Sequence, residues 1–233
     1  SFELRVLNSA DYGAPQSRKR AVLIGHHRDL PAPAFPTPMH SPDGADGLPL
    51  YRTVREALLG VPAEPGMDAR FGEVRTRVGS RDVPGAFSRQ ELHLSRTYHP
   101  KSVERFENIP EGGNRTDLPD HLKAPCWLKH TTGSMAVMGR LHWDRPSVTI
   151  RTEFFKPEKG RYLHPQWEPD NPGRQVNRPI THLEAARIQD FPDTFQWCGT
   201  KIEIARQIGN AVPVGLARAI GDQIRPYIES SNE

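Results

Sequence analysis

Proline and glycine limit the regular structure open to this chain, because proline lacks a backbone donor and glycine loses the most freedom on ordering. They number 23 and 19 among 233 residues, and many of them lie between residues 31 and 66. The Pro-rich run 30–50 predicts an extended linker or a loop laid over a surface. With 36% hydrophobic residues and a mean hydropathy of −0.65, the chain is polar for its size. We therefore expect long exposed loops or a surface for a partner.

The cations of the chain are mostly arginine. Lysine and arginine together number 31 against 28 acidic residues, for a net charge of +3, and 24 of the 31 are arginine. A guanidinium donates two parallel hydrogen bonds to a phosphate or a guanine edge, whereas lysine is a point charge. Composition alone is explained better by a genome whose codons favour arginine.

Cysteine and apolar content exclude several classes of protein. Two cysteines, Cys126 and Cys198, make neither a disulfide framework nor a four-cysteine zinc site, and no histidine pair has zinc-ligand spacing with cysteine. No apolar run reaches membrane-spanning length and no signal peptide opens the chain. We expect a soluble protein of a reducing compartment, without a metal. Since it begins with Ser1 inside a patterned segment, we also expect a fragment.

Local patterns predict short elements. The run AVLIG (21–25) is typical of a strand buried on both faces of a parallel α/β sheet. Capping-box pairs Thr53–Glu56 and Thr181–Glu184 each start a helix, and Pro192 stops the second. Further strands are predicted at 74–78, at 146–155 and within 156–165, and further helices at 99–110, up to about Gln207, and from Pro213 onward.

The stretch YGAPQSRKR (12–20) places three polar side chains beside the predicted strand. If the strand starts near Gln16, then Gln16, Arg18 and Arg20 lie on one face. Ligands of α/β sheets collect outside strand ends, but for an isolated pair of arginines a solvated sheet edge is the commoner outcome.

Four stretches follow one another in a specific order: YGAPQSRKR (12–20), RPSVTI (145–150), NRPITHLEAARIQDFPDTF (177–195) and RQIGNAVPVGLARAI (206–220). Together they resemble the C-terminal part of the C5-cytosine DNA methyltransferases, with its target-recognition region and last three ordered motifs. The first stretch resembles the Gln-x-Arg-x-Arg motif, and QIGNAVP resembles the final Gly-Asn motif. The resemblance covers almost the whole chain, although residues 63–98 match only by position.

The resemblance implies an α/β fold with a partial Rossmann-like catalytic domain and a smaller, irregular, mostly β target-recognition domain. Residues 1–28 and 203–233, with their C-terminal helices, would belong to the catalytic domain. Residues 29–202, including the Thr181–Phe195 helix motif, would form the recognition domain. The apolar stripe of Leu216, Ile220 and Ile224 is then expected to be exposed in this chain alone.

The activity implied is methyl transfer from S-adenosyl-L-methionine to C5 of a cytosine flipped out of double-stranded DNA, as in restriction-modification systems. The family's Pro-Cys-Gln nucleophile segment, its Glu-Asn-Val segment and its cofactor loop are not found in the sequence. We therefore expect a chain that is inactive alone and partnered by an N-terminal catalytic half, in cis or as a separate subunit. Cys126 precedes Trp127 where the family motif has glutamine, so we interpret Cys126 as structural, and Cys198 as packed.

The resemblance also implies site residues. Arg20 would contact the cytosine carbonyl and Arg18 the DNA backbone or the general-acid carboxylate. Gln16 and Tyr12 would shape the wall, although Gln16 would equally satisfy backbone groups. Three further sets are expected: cofactor-binding Asn210 and Gly209, of which Asn210 would otherwise cap its helix; structural Arg178, Glu184 and Arg187; and DNA-binding Arg75, Arg77, Arg81, Arg89, Arg96, Arg115 and Arg140.

Two alternatives stay open on the sequence. One is a non-catalytic, sequence-specific DNA-binding module. The other is the tRNA-methylating branch of the superfamily, against which the long insert before Thr181 argues. Both as a DNA methyltransferase and as a DNA-binding module, the chain is expected to be a bacterial cytoplasmic protein. It would associate with the nucleoid through DNA and have no membrane partner.

Overall fold

The computed structural model describes residues 1–67, 75–85, 90–129, 136–168 and 170–229. Its strands are β1 (Phe2–Asn8), β2 (Lys19–Gly25), β3 (Gly66–Met67), β4 (Arg75–Val78), β5 (Arg81–Pro84), β6 (Leu94–Ser95), β7 (Gly139–Arg140) and β8 (Arg161–Leu163). Its helices are α1 (Val54–Ala57), α2 (Pro100–Glu107), α3 (Pro125–Lys129), α4 (His182–Ile188), α5 (Lys201–Asn210) and α6 (Val214–Glu229).

The strands of the described residues pair two by two. β1 and β2 are antiparallel, with Phe2 opposite Gly25 and Asn8 opposite Lys19, and β4 and β5 are also antiparallel. β3 pairs with β6 and β7 with β8 in parallel. The predicted strand at 21–25 is therefore present, but its neighbour is antiparallel.

The ribbon of β1 and β2 has two unlike faces. Leu4 lies opposite Leu23 on one face, and these side chains are 58% and 59% exposed. The opposite face places Leu7 and Ile24 in a buried cluster. The expectation of a strand buried on both faces is wrong, because α6 covers only one side of this ribbon.

Helix α6 packs its apolar stripe against that ribbon. Leu216 is fully buried and Ile220 packs beside it, in the cluster that holds Leu7 and Ile24. The expectation that this stripe is exposed is wrong for Leu216. The exposed apolar face belongs to the ribbon instead.

A second, larger cluster joins α1, α4 and α5. Its centre is Ile150 and Phe154, which are fully buried, with Ile188 from α4 and Ile204 from α5. A third cluster holds α2 and the segment after it, around Phe106 and the other members Ile109, Leu118, Leu122, Met138 and Leu163. α5 thus shares its cluster with α1 and α4, whereas α6 packs with β1 and β2.

Capping boxes define three helix starts. Thr53 caps α1 and Thr181 caps α4, each with the glutamate three residues on, as the sequence predicts. Thr200 caps α5 in the same way. α4 ends at Ile188, and Asp190 takes a left-handed φ of 65°, so the helix stops before it reaches the proline.

The predicted strand at 146–155 is wrong. In that segment Ser147 forms an isolated bridge with Gln16, and residues 152–155 form a turn. β-branched residues favour a strand here, but side chains from elsewhere in the chain take up the backbone groups of Ile150. The strands predicted at 74–78 and within 156–165 and the helix at 99–110 are confirmed as β4, β8 and α2. No helix in the described part of the chain is long and apolar enough to cross a bilayer.

Candidate functional site

Two side chains of the stretch YGAPQSRKR, those of Gln16 and Arg18, bond to the backbone of Ile150 in a distant loop. The Gln16 side-chain oxygen accepts from the Ile150 N–H at 2.6 Å, and its Nε2 donates to Gln189 at 2.7 Å. Arg18 donates from Nη1 to the Ile150 carbonyl at 2.7 Å and from Nη2 to the Gly209 carbonyl at 2.9 Å. Both backbone groups of Ile150 are therefore satisfied by side chains.

The network is buried and continues through a residue that sequence reasoning missed. Gln16 and Gln189 are 0% exposed and Arg18 is 4% exposed. Gln189 also donates to the Ile208 carbonyl, so the end of α4 is tied to the end of α5. Gln189 carries no periodic signal, because it lies at the C-cap of α4, where polar residues are usual.

Burial lowers the pKa of Arg18 to about 10, and the neighbouring Arg20 adds to the effect. Arg18 is therefore still a cation at neutral pH, and hydrogen bonds to two carbonyl oxygens stabilise it. Of the two roles that the sequence left open for Gln16, this geometry matches the satisfaction of backbone groups.

Arg20 lies differently from its two neighbours. It is exposed on β2 and its Nη1 donates to the Lys19 carbonyl. Gln16 and Arg18 precede the strand and are buried, whereas Arg20 is exposed. Tyr12 is also buried, and its hydroxyl donates to the Pro36 carbonyl at 2.9 Å.

Gly209 and Asn210 end α5. A Cβ on Gly209 would lie 2.4 Å from the Thr152 nitrogen, so only glycine lets the helix approach that backbone. Because the Gly209 carbonyl already accepts from Arg18, this residue is committed to packing. Asn210 is exposed at the break before α6, and its amide is open to a ligand.

The residues predicted to organise the fold form a buried ion pair. Arg178 donates from both terminal nitrogens to the two oxygens of Glu184, at 2.8 Å each, and also to the Ala63 carbonyl. Burial raises the pKa of Glu184, but Arg178 and then His164 outweigh it and lower that pKa. Arg187 extends the same tie, since it donates to the carbonyl of residue 59 beyond α1 and pairs with an aspartate after α4.

His164 is the second titratable group of this cluster. Its Nδ1 accepts from a backbone N–H, so the proton of the neutral ring is on Nε2, which lies 3.6 Å from Glu184. Burial lowers the pKa of His164 to about 4 despite the opposing effect of Glu184. The ring is therefore neutral at pH 7.

Arginines predicted to bind DNA divide by exposure. Arg75, Arg77 and Arg81 are exposed on the hairpin of β4 and β5, and Arg96 is exposed beside a tyrosine ring. Arg115 is only 6% exposed. Arg89 lies outside the described residues.

Arg140 is fully buried and its donors are occupied. It donates at 2.6–3.0 Å to the carbonyls of Phe106, Ile109, His164 and Val176 and to the side chain of Asn177. Burial lowers the pKa of Arg140 to about 9. A guanidinium held in this way has no N–H to offer a phosphate, so we leave Arg140 out of the proposed DNA interface.

The two cysteines lie in different surroundings. Cys126 is exposed on α3, and Cys198 is partly buried before α5. α3 packs through Trp127 with the cluster of Phe106, whereas the network of Gln16 belongs to the cluster of Ile150. Within the described ranges, no group of three or more His, Cys, Asp or Glu side chains is placed to hold a metal ion.

Comparisons with known proteins agree on one family. The model of the C-5 cytosine-specific DNA methylases matches residues 1–226. The chain is 30% identical to the type II methylase M.HgiDII of Herpetosiphon aurantiacus over 98% of its length, and 33% identical to the type II methyltransferase M.NgoFVII of Neisseria gonorrhoeae over 94%. A solved structure, a putative DNA modification methyltransferase encoded within an E. coli prophage, superposes with a TM-score of 0.60 at 19% identity. It covers 98% of this chain and 61% of that one, and it shows an α/β fold of the same kind.

These matches correct one expectation. The interpretation of the chain as only the recognition region and last motifs of such an enzyme is wrong, because the family model spans residues 1–226 of 233. These matches do not show a partner that supplies an N-terminal half, nor inactivity of the chain alone. The chain spans 56% and 49% of the length of the two relatives. A separate recognition domain over residues 29–202 stays a prediction.

Proposed function

Because the chain belongs to the C-5 cytosine-specific DNA methylases, we propose that it acts in the transfer of a methyl group to C5 of a flipped cytosine in duplex DNA. Enzymes of this family use S-adenosyl-L-methionine. The observation that carries the proposal is the family match over residues 1–226. Since relatives are named as type II methylases, we further propose a modification methylase that works on DNA in a bacterial cytoplasm.

Arg20 is the proposed contact of the flipped base. An extruded cytosine exposes a carbonyl oxygen, and a guanidinium stabilises it by a charge-assisted hydrogen bond. Arg20 is exposed and has one intramolecular acceptor, the carbonyl of its neighbour. This leaves donors for a base.

Arg18 and Gln16 are proposed to position that contact. Both side chains bond to the backbone of Ile150. These bonds fix the chain just before β2, the strand that carries Arg20. Arg18 and Gln16 therefore have a supporting role, and Arg20 is the residue that would contact the DNA.

Asn210 is the residue whose surroundings fit the cofactor. Its exposed amide at a helix break supplies a donor and an acceptor, which suit the amino-acid part of S-adenosyl-L-methionine. When bound, that cofactor supplies the methyl group. Gly209 supports the site through close packing only.

Phosphate contacts are proposed for the exposed arginines of the recognition region. Arg75, Arg77 and Arg81 share one hairpin, and Arg96 is exposed directly after β6. Guanidiniums on such a hairpin neutralise phosphates without reading sequence.

The test is transfer of a labelled methyl group. The chain, and the protein as its gene encodes it, are each incubated with tritiated S-adenosyl-L-methionine and duplex DNA. Tritium in acid-precipitable DNA, recovered as 5-methylcytosine after hydrolysis, is the expected result. A duplex with 5-methylcytosine already in place of cytosine is the matched control and should accept no label.

Two outcomes would overturn the proposal. Label recovered in RNA and not in DNA would move the activity to another nucleic acid. DNA binding with no 5-methylcytosine from either protein would favour the non-catalytic DNA-binding module.

A further inference from the structure

A cationic cleft of about 430 Å³ opens beside the loop held by Gln16 and Arg18. Among the described residues, its lining includes Arg151, Lys159 and Arg161 and no carboxylate side chain. Hydroxyl-bearing residues also line it: Ser17, Ser147, Thr149 and Tyr162. None of these cations belongs to the set that the sequence assigned to DNA.

The walls of the cleft are fixed before any ligand arrives. Ser147 donates its N–H to the Pro15 carbonyl at 2.9 Å, and its own carbonyl accepts from Ser17 at 2.8 Å. Thr149 donates its hydroxyl to the Ser17 carbonyl, and its carbonyl accepts from Tyr162. A ligand in such a cleft meets preorganised groups and costs little ordering.

The charge of the rim is positive on balance. Glu153 is shared between Lys156 and Lys159, the latter at 3.4 Å, so one carboxylate faces two ammonium groups. The Nη1 of Arg161 donates to backbone carbonyls. These bonds fix the position of the guanidinium, and because carbonyls are neutral they do not cancel its charge. Arg151 is exposed. The unbalanced charge points to an anionic ligand.

We propose that this cleft holds a phosphodiester group of the bound duplex, with Arg151 and Lys159 as its cationic contacts. The inference rests on the proposed function for the source of the phosphate. A phosphate oxygen takes charge-assisted hydrogen bonds from ammonium and guanidinium groups. Since Thr149 of the wall directly precedes Ile150, a phosphate here is anchored one residue from the Gln16 and Arg18 network.

The experiment measures duplex binding without cofactor or turnover. Fluorescence anisotropy with a labelled duplex is recorded from low to high salt for the unsubstituted chain, Arg151→Gln, Lys159→Gln and the double variant. Arg225→Gln is the matched control, because Arg225 is exposed on α6, pairs with an aspartate of the same helix, and loses the same charge. Glu153 keeps a lysine partner in every variant.

Each single variant of the cleft is expected to make the slope of log affinity against log salt less steep by about 0.9. This corresponds to about an eightfold loss of duplex affinity at 0.1 M salt relative to 1 M. The double variant should lose about twice that slope, and Arg225→Gln should bind as the unsubstituted chain. Slopes equal to that control would overturn the proposal, as would no duplex binding by the unsubstituted chain.

A second arm separates DNA from free phosphate. Inorganic phosphate is titrated by calorimetry into the same five proteins. Loss of phosphate binding in the variants with unchanged duplex binding would overturn the assignment to DNA. Weakened duplex binding in a protein that makes no 5-methylcytosine would sustain the cleft and reject the proposed function.

Discussion

Replacing Arg140 by lysine is expected to destabilise the protein strongly, although the charge is kept. The guanidinium is fully buried and donates at 2.6–3.0 Å to five oxygens. These oxygens come from the end of α2, from the segment after β8 and from the approach to α4. One side chain thus joins three stretches of backbone.

The size of the effect follows from the number of donors. Lysine has three N–H groups on one nitrogen, so at least two of the five oxygens around residue 140 lose their partner. Hydrogen bonds to a charged group contribute about 1.5–3 kcal/mol each, which gives a loss of about 3–6 kcal/mol. Total stabilities of domains are about 5–15 kcal/mol, so Arg140→Lys should leave the protein folded but marginal.

Urea unfolding followed by the fluorescence of the four tryptophans measures this loss through the midpoint and slope. Arg75→Lys is the matched control, since Arg75 is half-exposed and pairs with one aspartate, and it should shift stability by no more than about 0.5 kcal/mol. The salt slope of duplex binding should be unchanged in folded Arg140→Lys. A loss below about 1 kcal/mol, or a reduced salt slope, would refute the structural role of Arg140.

Three further results are expected. Gly209→Ala should lower the unfolding free energy by about 1–3 kcal/mol because its Cβ meets backbone, whereas Gly221→Ala in open space should raise it by up to about 1 kcal/mol; equal urea midpoints would contradict the close packing. Between pH 7 and pH 5 stability should fall by about 2 kcal/mol, because His164, with a folded pKa of about 4, is protonated in the unfolded chain first. Below about pH 4.5 the protonation of Glu184, whose folded pKa is lowered, should add to the loss; a flat midpoint from pH 7 to 4 would contradict both. Arg20→Gln should slow methyl transfer about 100-fold with an unchanged urea midpoint, and an unchanged rate would remove Arg20 from the site.

Helix starts were predictable from sequence because their signals are local. Thr53 and Thr181 each bond within four residues, so the pattern holds whatever the rest of the chain does. The same box at Thr200 was open to the same reasoning.

Packing partners were not predictable, because they depend on residues far along the chain. The segment 146–155 has the composition of a strand, yet Gln16 and Arg18 reach it from about 130 residues away. An arginine in sequence gives no sign of whether carbonyls will surround it. Arg20 and Arg140 read alike in the sequence, although one is exposed and the other is fully buried.

The candidate site contains both features that local sequence signals predict and features that depend on distant residues. The order of the motifs predicts the family, and the Gln-x-Arg pair draws attention to the right stretch. Gln189 escaped notice because its partner, Gln16, is 173 residues away. The cationic cleft was not predicted from the sequence either, since its cations are brought to one wall by hydrogen bonds of Ser17 and Tyr162.

The pairing of the ribbon with α6 sets an order of events during synthesis. Leu7 and Ile24 are buried with Leu216, which the ribosome adds about 190 residues later. At bacterial and eukaryotic elongation rates of about 5–20 residues per second, the ribbon waits roughly 10–40 s for its cover. The face that carries Leu7 and Ile24 is open to chaperones in that interval. The helix that covers the ribbon is therefore translated well after the ribbon itself has emerged.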